Sequence, residues 1–206
     1  MANPTVGIRR RSTDTSATDD AVLEAAEALI LAGRFATATV ADLAEQAGVS
    51  RATVFSRLGG KVGVLEALST RCSGGPEMRG IRAAFAVDDP VAALDAVVTA
   101  ACQLWERQGH ILLTLKAVAE LEPGAWRIIA EQREDQRSSI DGLVRRLHED
   151  APIRGLTRAQ ATACLHQITS VKAIMELRRN AGMSLASTRH TTTTMARRFV
   201  GLADPA

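Results

Sequence analysis

The chain has 206 residues, a formal net charge of +2, and a composition that is 46% hydrophobic but only 3% aromatic, with no Tyr. Strands draw on β-branched and aromatic side chains, so this shortage, beside abundant Ala, Leu, Glu, Gln and Arg, argues for helix throughout and against a β fold. No run reaches membrane-spanning length and the first residues, MANPTVGIRRRSTDTSATDD, lack an apolar signal region, so a cytoplasmic protein with no membrane partner is expected.

Residues 1–17 are rich in Thr, Ser, Asp and Arg and show no periodicity, which predicts a flexible basic arm carrying Arg9, Arg10 and Arg11. A first helix follows in DDAVLEAAEALILAGR, with Asp19 and Asp20 in its first turn and Val22, Ala25, Ala26, Leu29 and Ile30 on one face. Thr39-Val-Ala-Asp42 reads as an acidic capping box opening a second helix, whose buried side is Val40, Leu43, Ala44 and Ala47. Gly48 marks the turn after it, and Ser50 caps a third helix over roughly 51–58. Gly59-Gly60 ends that helix, and Lys61 begins a fourth with Val64, Leu65 and Leu68 as its apolar stripe. CSGGPE, residues 72–77, breaks the chain and separates a module at 18–72 from one at 76–206.

The second module reads as helices over 77–86, 90–108, 110–121, 125–149, 157–181 and 184–202. The expected class is therefore all-α. Thr191–Thr194 is a stretch of weak helix propensity within the last of these.

The third helix is a poor core element. It is short, begins with Arg51, Ala52 and Thr53, and carries Ser56 and Arg57 later. Two short helices around a glycine turn are the geometry of a helix-turn-helix. There the second helix enters the major groove with its first residues against base edges. Small residues allow close approach, Arg forks onto guanine, and a Thr methyl meets a thymine methyl. Within residues 49–71 Arg51, Arg57, Lys61 and Arg71 face one acidic residue, Glu66, so the local field is positive. Lys61, at a helix start where free amides attract anions, is expected on phosphate. Thr39 has a similar position, and Arg57 lies near the turn. Arg9, Arg10 and Arg11 suit the backbone or a minor groove. The predicted DNA-binding set is Thr39, Ser50, Arg51, Ala52, Thr53, Phe55, Ser56, Arg57 and Lys61, with Arg9, Arg10 and Arg11.

GRFATATVADLAEQAGVSRATVFSRLGGKVGVLEAL, residues 33–68, resembles the N-terminal module of the tetracycline-repressor (TetR) family of transcriptional regulators, and the likeness reaches back to the Arg9–Arg11 run. Phe35, Thr39-Val40, Ala47-Gly48-Val49-Ser50 and Lys61 occur in family order and spacing. Phe55, Arg57 and Leu58 stand where family members usually carry Tyr, His and Phe. Phe55 has no hydroxyl for the phosphate that such a Tyr commonly touches, and Arg57 is a candidate to compensate.

The resemblance implies a two-fold homodimer on a double-stranded, pseudo-palindromic operator. It also implies that the last two helices pair with their mates, the stretch LTRAQATACLHQITSVKAIMELRRNAGMS being similar to the penultimate helix of several members. Leu165, Ile168, Val171, Ile174, Met175, Met195, Phe199 and Val200 are candidates for that interface or for the chain's own core. A repressor released by a small apolar effector is expected. Trp105, Leu112, Leu115, Trp126, Cys164, His166, Gln167 and Met175 are candidate pocket residues, since pockets between bundle helices are mainly apolar with a few polar groups.

Other chemistry finds little support. Gly59-Gly60-Lys61 is not a phosphate loop, because Phe55 stands where its first Gly belongs and Val62 follows the lysine. His110, His148, His166 and His190 are scattered without metal spacing, and no metal or cofactor is expected. No nucleophile elbow or carboxylate pair points to an enzyme. Cys72, Cys102 and Cys164 are odd in number and lie outside any CxxC motif. A thiol-responsive regulator, a constitutive DNA binder, and a helical carrier with a vestigial DNA module are the alternatives.

Overall fold

The computed structural model describes residues 7–121, 126–150 and 155–203. Every regular element among them is helical: α1 Gly7–Leu31, α2 Val40–Gln46, α3 Arg51–Leu58, α4 Lys61–Gly74, α5 Pro76–Phe85, α6 Pro90–Leu121, α7 Trp126–Asp150, α8 Arg158–Ile168, α9 Val171–Met175 and α10 Leu185–Phe199. A π-helical turn, Glu176–Asn180, follows α9.

The chain divides into two compact units. The first comprises Met1–Arg71 with Thr114–Trp126, and the second Cys72–Leu113 with Arg127–Ala206. The expected boundary at residues 72–76 thus meets a division after Arg71, but Thr114–Trp126, expected in the second module, groups with the first.

In the first unit α2 packs on α3, and both pack on α1. Val22, Ala26, Leu29, Phe35, Leu43, Val54, Val64, Leu65 and Leu68 are all buried. Burying each of these Val, Leu and Phe side chains stabilises by roughly 1.5–3 kcal/mol. The reading of 1–17 as a flexible arm is corrected for residues 7–17, which are helical and continuous with α1. Extending an existing helix adds one hydrogen bond per residue fixed and avoids a new nucleus, so weak local propensity is overridden.

The second unit is built around Leu94, Val97, Val98, Cys102, Ile140, Leu143, Val144, Leu165, Ile174 and Val200. Arginines anchor its helix ends. Arg146 donates to the carbonyls of Phe85, Val87 and Asp88, closing the C-terminal end of α5. Arg178 forks onto Glu106, and Arg197 onto Asp95.

Two element boundaries differ from the reading of the sequence. The break expected at Gly109 is absent, and α6 runs through it. A side chain there would meet the Met175 sulfur at 2.8 Å, so the glycine marks a close approach between helices and not a helix end. The single helix expected over 157–181 is interrupted instead. Thr169 ends α8, and the Ser170 side chain accepts from the Ala173 amide to start α9.

Candidate nucleic-acid interface

α2 and α3 are held by their caps. The Thr39 hydroxyl accepts the Asp42 amide at 3.2 Å, and the Asp42 carboxylate accepts the Thr39 amide at 2.7 Å. The backbone amide of Thr39, then its hydroxyl, hold the Asp42 carboxyl below its usual range. At α3 the Ser50 side chain accepts the Thr53 amide at 3.0 Å and pairs with the Thr53 hydroxyl at 2.8 Å. Such a cap is worth about 1 kcal/mol, a large share for an eight-residue helix.

Only Val54 of α3 is buried. Ser50, Arg51, Ala52, Phe55, Ser56 and Arg57 are exposed, and Thr53 is partly covered. An eight-residue helix with one anchor leaves an open face along its leading edge. Phe55 is 47% exposed, which is unusual for so large an apolar side chain. The Arg51 guanidinium stands 5.8 Å from its ring centre, at cation–π range.

The turn after α3 explains the glycines. Gly59 caps the helix in the left-handed region at φ 70°. Gly60, at φ 92°, lies under Phe55, where a Cβ would come within 2.9 Å of the ring. Gly63, in the first turn of α4, is closer still to its neighbour. A Cβ there would fall 1.5 Å from the carbonyl oxygen of Leu58. So α4 can start hard against the end of α3 only with glycine at 63, a role not read from the sequence.

Two predicted phosphate ligands are already engaged within the protein. The Lys61 ammonium donates to the Ala36 carbonyl at 2.8 Å and stands 5.1 Å from the centre of the Phe35 ring. Arg57 forms a forked ion pair with Asp19 of α1, its Nε reaching Oδ1 at 2.6 Å and its Nη2 reaching Oδ2 at 2.5 Å. Arg57, expected as a substitute phosphate contact, is thus held by a carboxylate within the protein. Asp19 was legible only as a helix-start residue. Its partner lies 38 positions away, beyond the reach of local pattern. Arg9, Arg10 and Arg11 have backbone in α1, but their side chains lie outside the described residues.

The candidate pocket residues divide between the units. Leu115 and Trp126 belong to the first, and the side chain of Trp126 lies outside the described residues. Trp105, Leu112, Cys164, His166, Gln167 and Met175 belong to the second. Trp105 donates its indole N–H to the Thr169 carbonyl at 2.6 Å, Met175 is buried against Gly109, and Gln167 is exposed. Of the three thiols, Cys102 is fully buried, and burial pushes it up to about 11. Among the described residues no cluster of His, Cys, Asp and Glu is arranged to hold a metal ion, and no helix is long and apolar enough to cross a membrane.

An N-terminal three-helix unit that presents the open edge of a short, capped helix defines a helix-turn-helix protein of the all-α class. Residues 22–68 match the family model described as bacterial regulatory proteins, tetR family. The matched stretch runs from within α1 to within α4 and so takes in the whole of α2 and α3. No protein of curated function matches it in sequence. Solved structures share the fold along nearly the whole chain. PfmR, a TetR family transcriptional regulator from Thermus thermophilus, is 22% identical with a TM-score of 0.66, over 86% of this chain and 97% of that one. The fatty acid degradation regulator FadR from Bacillus halodurans is 18% identical with a TM-score of 0.66, over 91% and 97%. SmeT in complex with triclosan is 16% identical with a TM-score of 0.67, over 88% and 90%.

Proposed function

We propose that the protein is a sequence-specific transcriptional repressor. Two copies, paired through α8 and α10, set two α3 helices into successive major grooves of a pseudo-palindromic operator. The observation that carries this reading is the α3 edge. Arg51, Ala52, Phe55 and Ser56 are exposed on a helix whose one buried residue is Val54. Arg51 is the base-reading residue, matched to the O6 and N7 edge of guanine, and Thr53 and Phe55 supply apolar contact to thymine methyl groups. Lys61, the Thr39 cap and the Arg9–Arg11 run serve phosphates. Leu165, Ile168, Ile174, Met175 and Val200 are buried within one chain. Met195, 37% exposed on α10, is left as an apolar contact for a second copy.

Release from DNA is assigned to a small apolar effector bound by the C-terminal helical part. SmeT, which shares the fold, is known in complex with the small molecule triclosan. α4 is continuous from Lys61 to Gly74, giving a covalent helical link from α3 toward that part. An effector acts only through different affinities for the two conformations, typically a coupling of about 1–3 kcal/mol, and operator must weaken effector binding by the same factor. The burial of Cys102 and its raised thiol range speak against thiol control at that residue.

Selection of bound duplexes from a random pool tests the reading directly. A two-fold motif with guanine at one position of each half-site is expected. Arg51→Ala should lose that guanine preference, at about 1–3 kcal/mol per half-site. A pool that yields no enriched motif, with the protein folded, would overturn the proposal.

A further inference from the structure

The Arg57–Asp19 pair is set at the edge of the proposed DNA surface, and it does something the interface alone does not require. Arg57 stands in the last turn of α3 and is an exposed residue. A guanidinium in that place would be expected to meet a phosphate oxygen. Instead two of its donors are spent on Asp19, in the same forked geometry by which Arg holds phosphate. The two side chains remain 30% and 31% exposed, so the pair is open to solvent and to competition by another anion. The first unit has a similar pair, Arg71 with Glu27 at 2.5 Å, but Arg71 is on α4 and not on the recognition helix. Arg51, at the other end of α3, has no ion pair among the described residues and meets only the Phe55 ring. The two arginines of one short helix are thus treated oppositely, one left as an open cation and one neutralised.

Taking the DNA-binding reading as its premise, we infer that Asp19 is an affinity-setting residue that occupies Arg57 in place of a DNA phosphate and so holds down the electrostatic affinity for DNA of any sequence. Non-specific binding is supplied almost wholly by cations on phosphates, and each such contact contributes about 0.9 to the slope of log K against log salt. Withholding one cation, and presenting one carboxylate beside it, penalises every sequence alike. Base contacts such as that of Arg51 are untouched. Trimming the electrostatic part common to both lowers specific and non-specific affinity by the same factor, so less protein is held on DNA of any sequence while the discrimination supplied by base contacts is kept. The hydrogen-bonded Arg57 also keeps the Asp19 carboxyl below its usual range, so the pair persists across the neutral pH range.

The test uses the full-length protein, a random-sequence duplex and a duplex carrying the motif obtained by selection, with affinity measured against salt. Asp19→Asn keeps the shape and one acceptor for Arg57 but removes the charge. It should tighten binding to the random duplex by about 3- to 10-fold at low salt, and steepen the salt slope by about one unit on both duplexes. Arg57→Gln in the wild-type background should leave the slope unchanged, because that cation is already committed. The double variant Asp19→Asn, Arg57→Gln should return to the wild-type slope. Circular dichroism melts of the three variants confirm that folded protein is compared. If Asp19→Asn leaves slope and affinity unchanged, or weakens binding to all sequences, Asp19 is only a packing partner for α3 and the inference is wrong. If Arg57→Gln alone flattens the slope by one unit, Arg57 contacts phosphate despite Asp19 and the inference is again wrong. Wild-type protein that fails to retain either duplex at low salt refutes the DNA-binding premise instead, so the two failures are told apart.

Discussion

α3 and α8 begin in the same way and end up with opposite tasks. Each is opened by a hydroxyl side chain, Ser50 or Thr157, that accepts the amide three residues on. Each carries small residues in its first turn. Yet α3 buries Val54 alone, whereas α8 buries Ala161, Thr162, Leu165 and Ile168. Cap chemistry therefore fixes where a helix starts and says nothing about whether it is a wall or a probe. What separates the two is the apolar count on the inner face. α8 has enough to be held by packing. α3 is held by its cap, one valine, the fork to Asp19, and the crowding of α4 against its last turn.

That contrast can be broken from either side. Leu165→Ala removes a side chain that is 2% exposed in the second unit's core. A loss of about 3–4 kcal/mol is expected from lost burial and the cavity left behind. Denaturant titration would read it, and DNA affinity per folded molecule should hold. Gly63→Ala attacks the other helix. A methyl placed 1.5 Å from the Leu58 carbonyl cannot be accommodated without moving backbone, so α3 and α4 must part. A cost of about 3 kcal/mol is expected. Here DNA binding should fall further than the melting temperature alone explains, since the α3 edge is displaced. Gly63→Ala with wild-type affinity would mean that the α3–α4 junction is not what positions the edge.

Much of this was legible beforehand because it rests on local rules. The Thr39–Asp42 box, the Ser50 cap and the end of α3 at Gly59 all follow from residues within four positions of each other. So does the open edge of α3, since a helix with so few large aliphatic side chains has little to bury. The pairings that set its electrostatics were not legible. Asp19 meets Arg57 across 38 residues, and Lys61 meets the Ala36 carbonyl across 25. Composition shows that charges exist, and only the packing of α1 against α3 shows which are cancelled. Glycine misleads in one place and is silent in another. Gly109 reads as a break, but it lies inside α6 because Met175 fills the space beside it. Gly63 gives no local signal, because the carbonyl that crowds it belongs to the preceding helix.

A smaller effect sharpens the comparison on the side of the packed helices. Thr188 and Thr192 of α10 are 0% and 1% exposed, and the Thr188 hydroxyl finds no hydrogen-bond partner among the described residues. A buried hydroxyl without a partner costs roughly 1–3 kcal/mol of desolvation, and valine has nearly the same shape without that cost. Thr188→Val should therefore raise stability by about 1 kcal/mol, seen as a higher denaturant midpoint with an unchanged slope. An exposed threonine such as Thr39 should behave the other way, because its hydroxyl is the cap of α2. Destabilisation by Thr188→Val would show that the hydroxyl is satisfied, by a buried water for example, and that α10 is not a purely apolar contact.

The smallest expected effect is acid sensitivity, and its sign follows from the α2 cap. Asp42 is held below its usual range in the folded protein, chiefly by the Thr39 backbone amide. A depressed folded value means that the carboxylate form is bound more tightly by the folded state. Its contribution is complete above the ordinary carboxylate range, near about pH 4, and disappears as pH falls through the depressed folded value. Asp19, lowered by its hydrogen bond to Arg57, acts in the same direction and over the same acid window. Comparing wild type with Asp42→Ala should give a stability gap that is flat from about pH 5 to 8 and closes below about pH 4. A gap that instead widened in acid would mean that the protonated carboxyl is the preferred form, and that the box at Thr39 is not what starts α2.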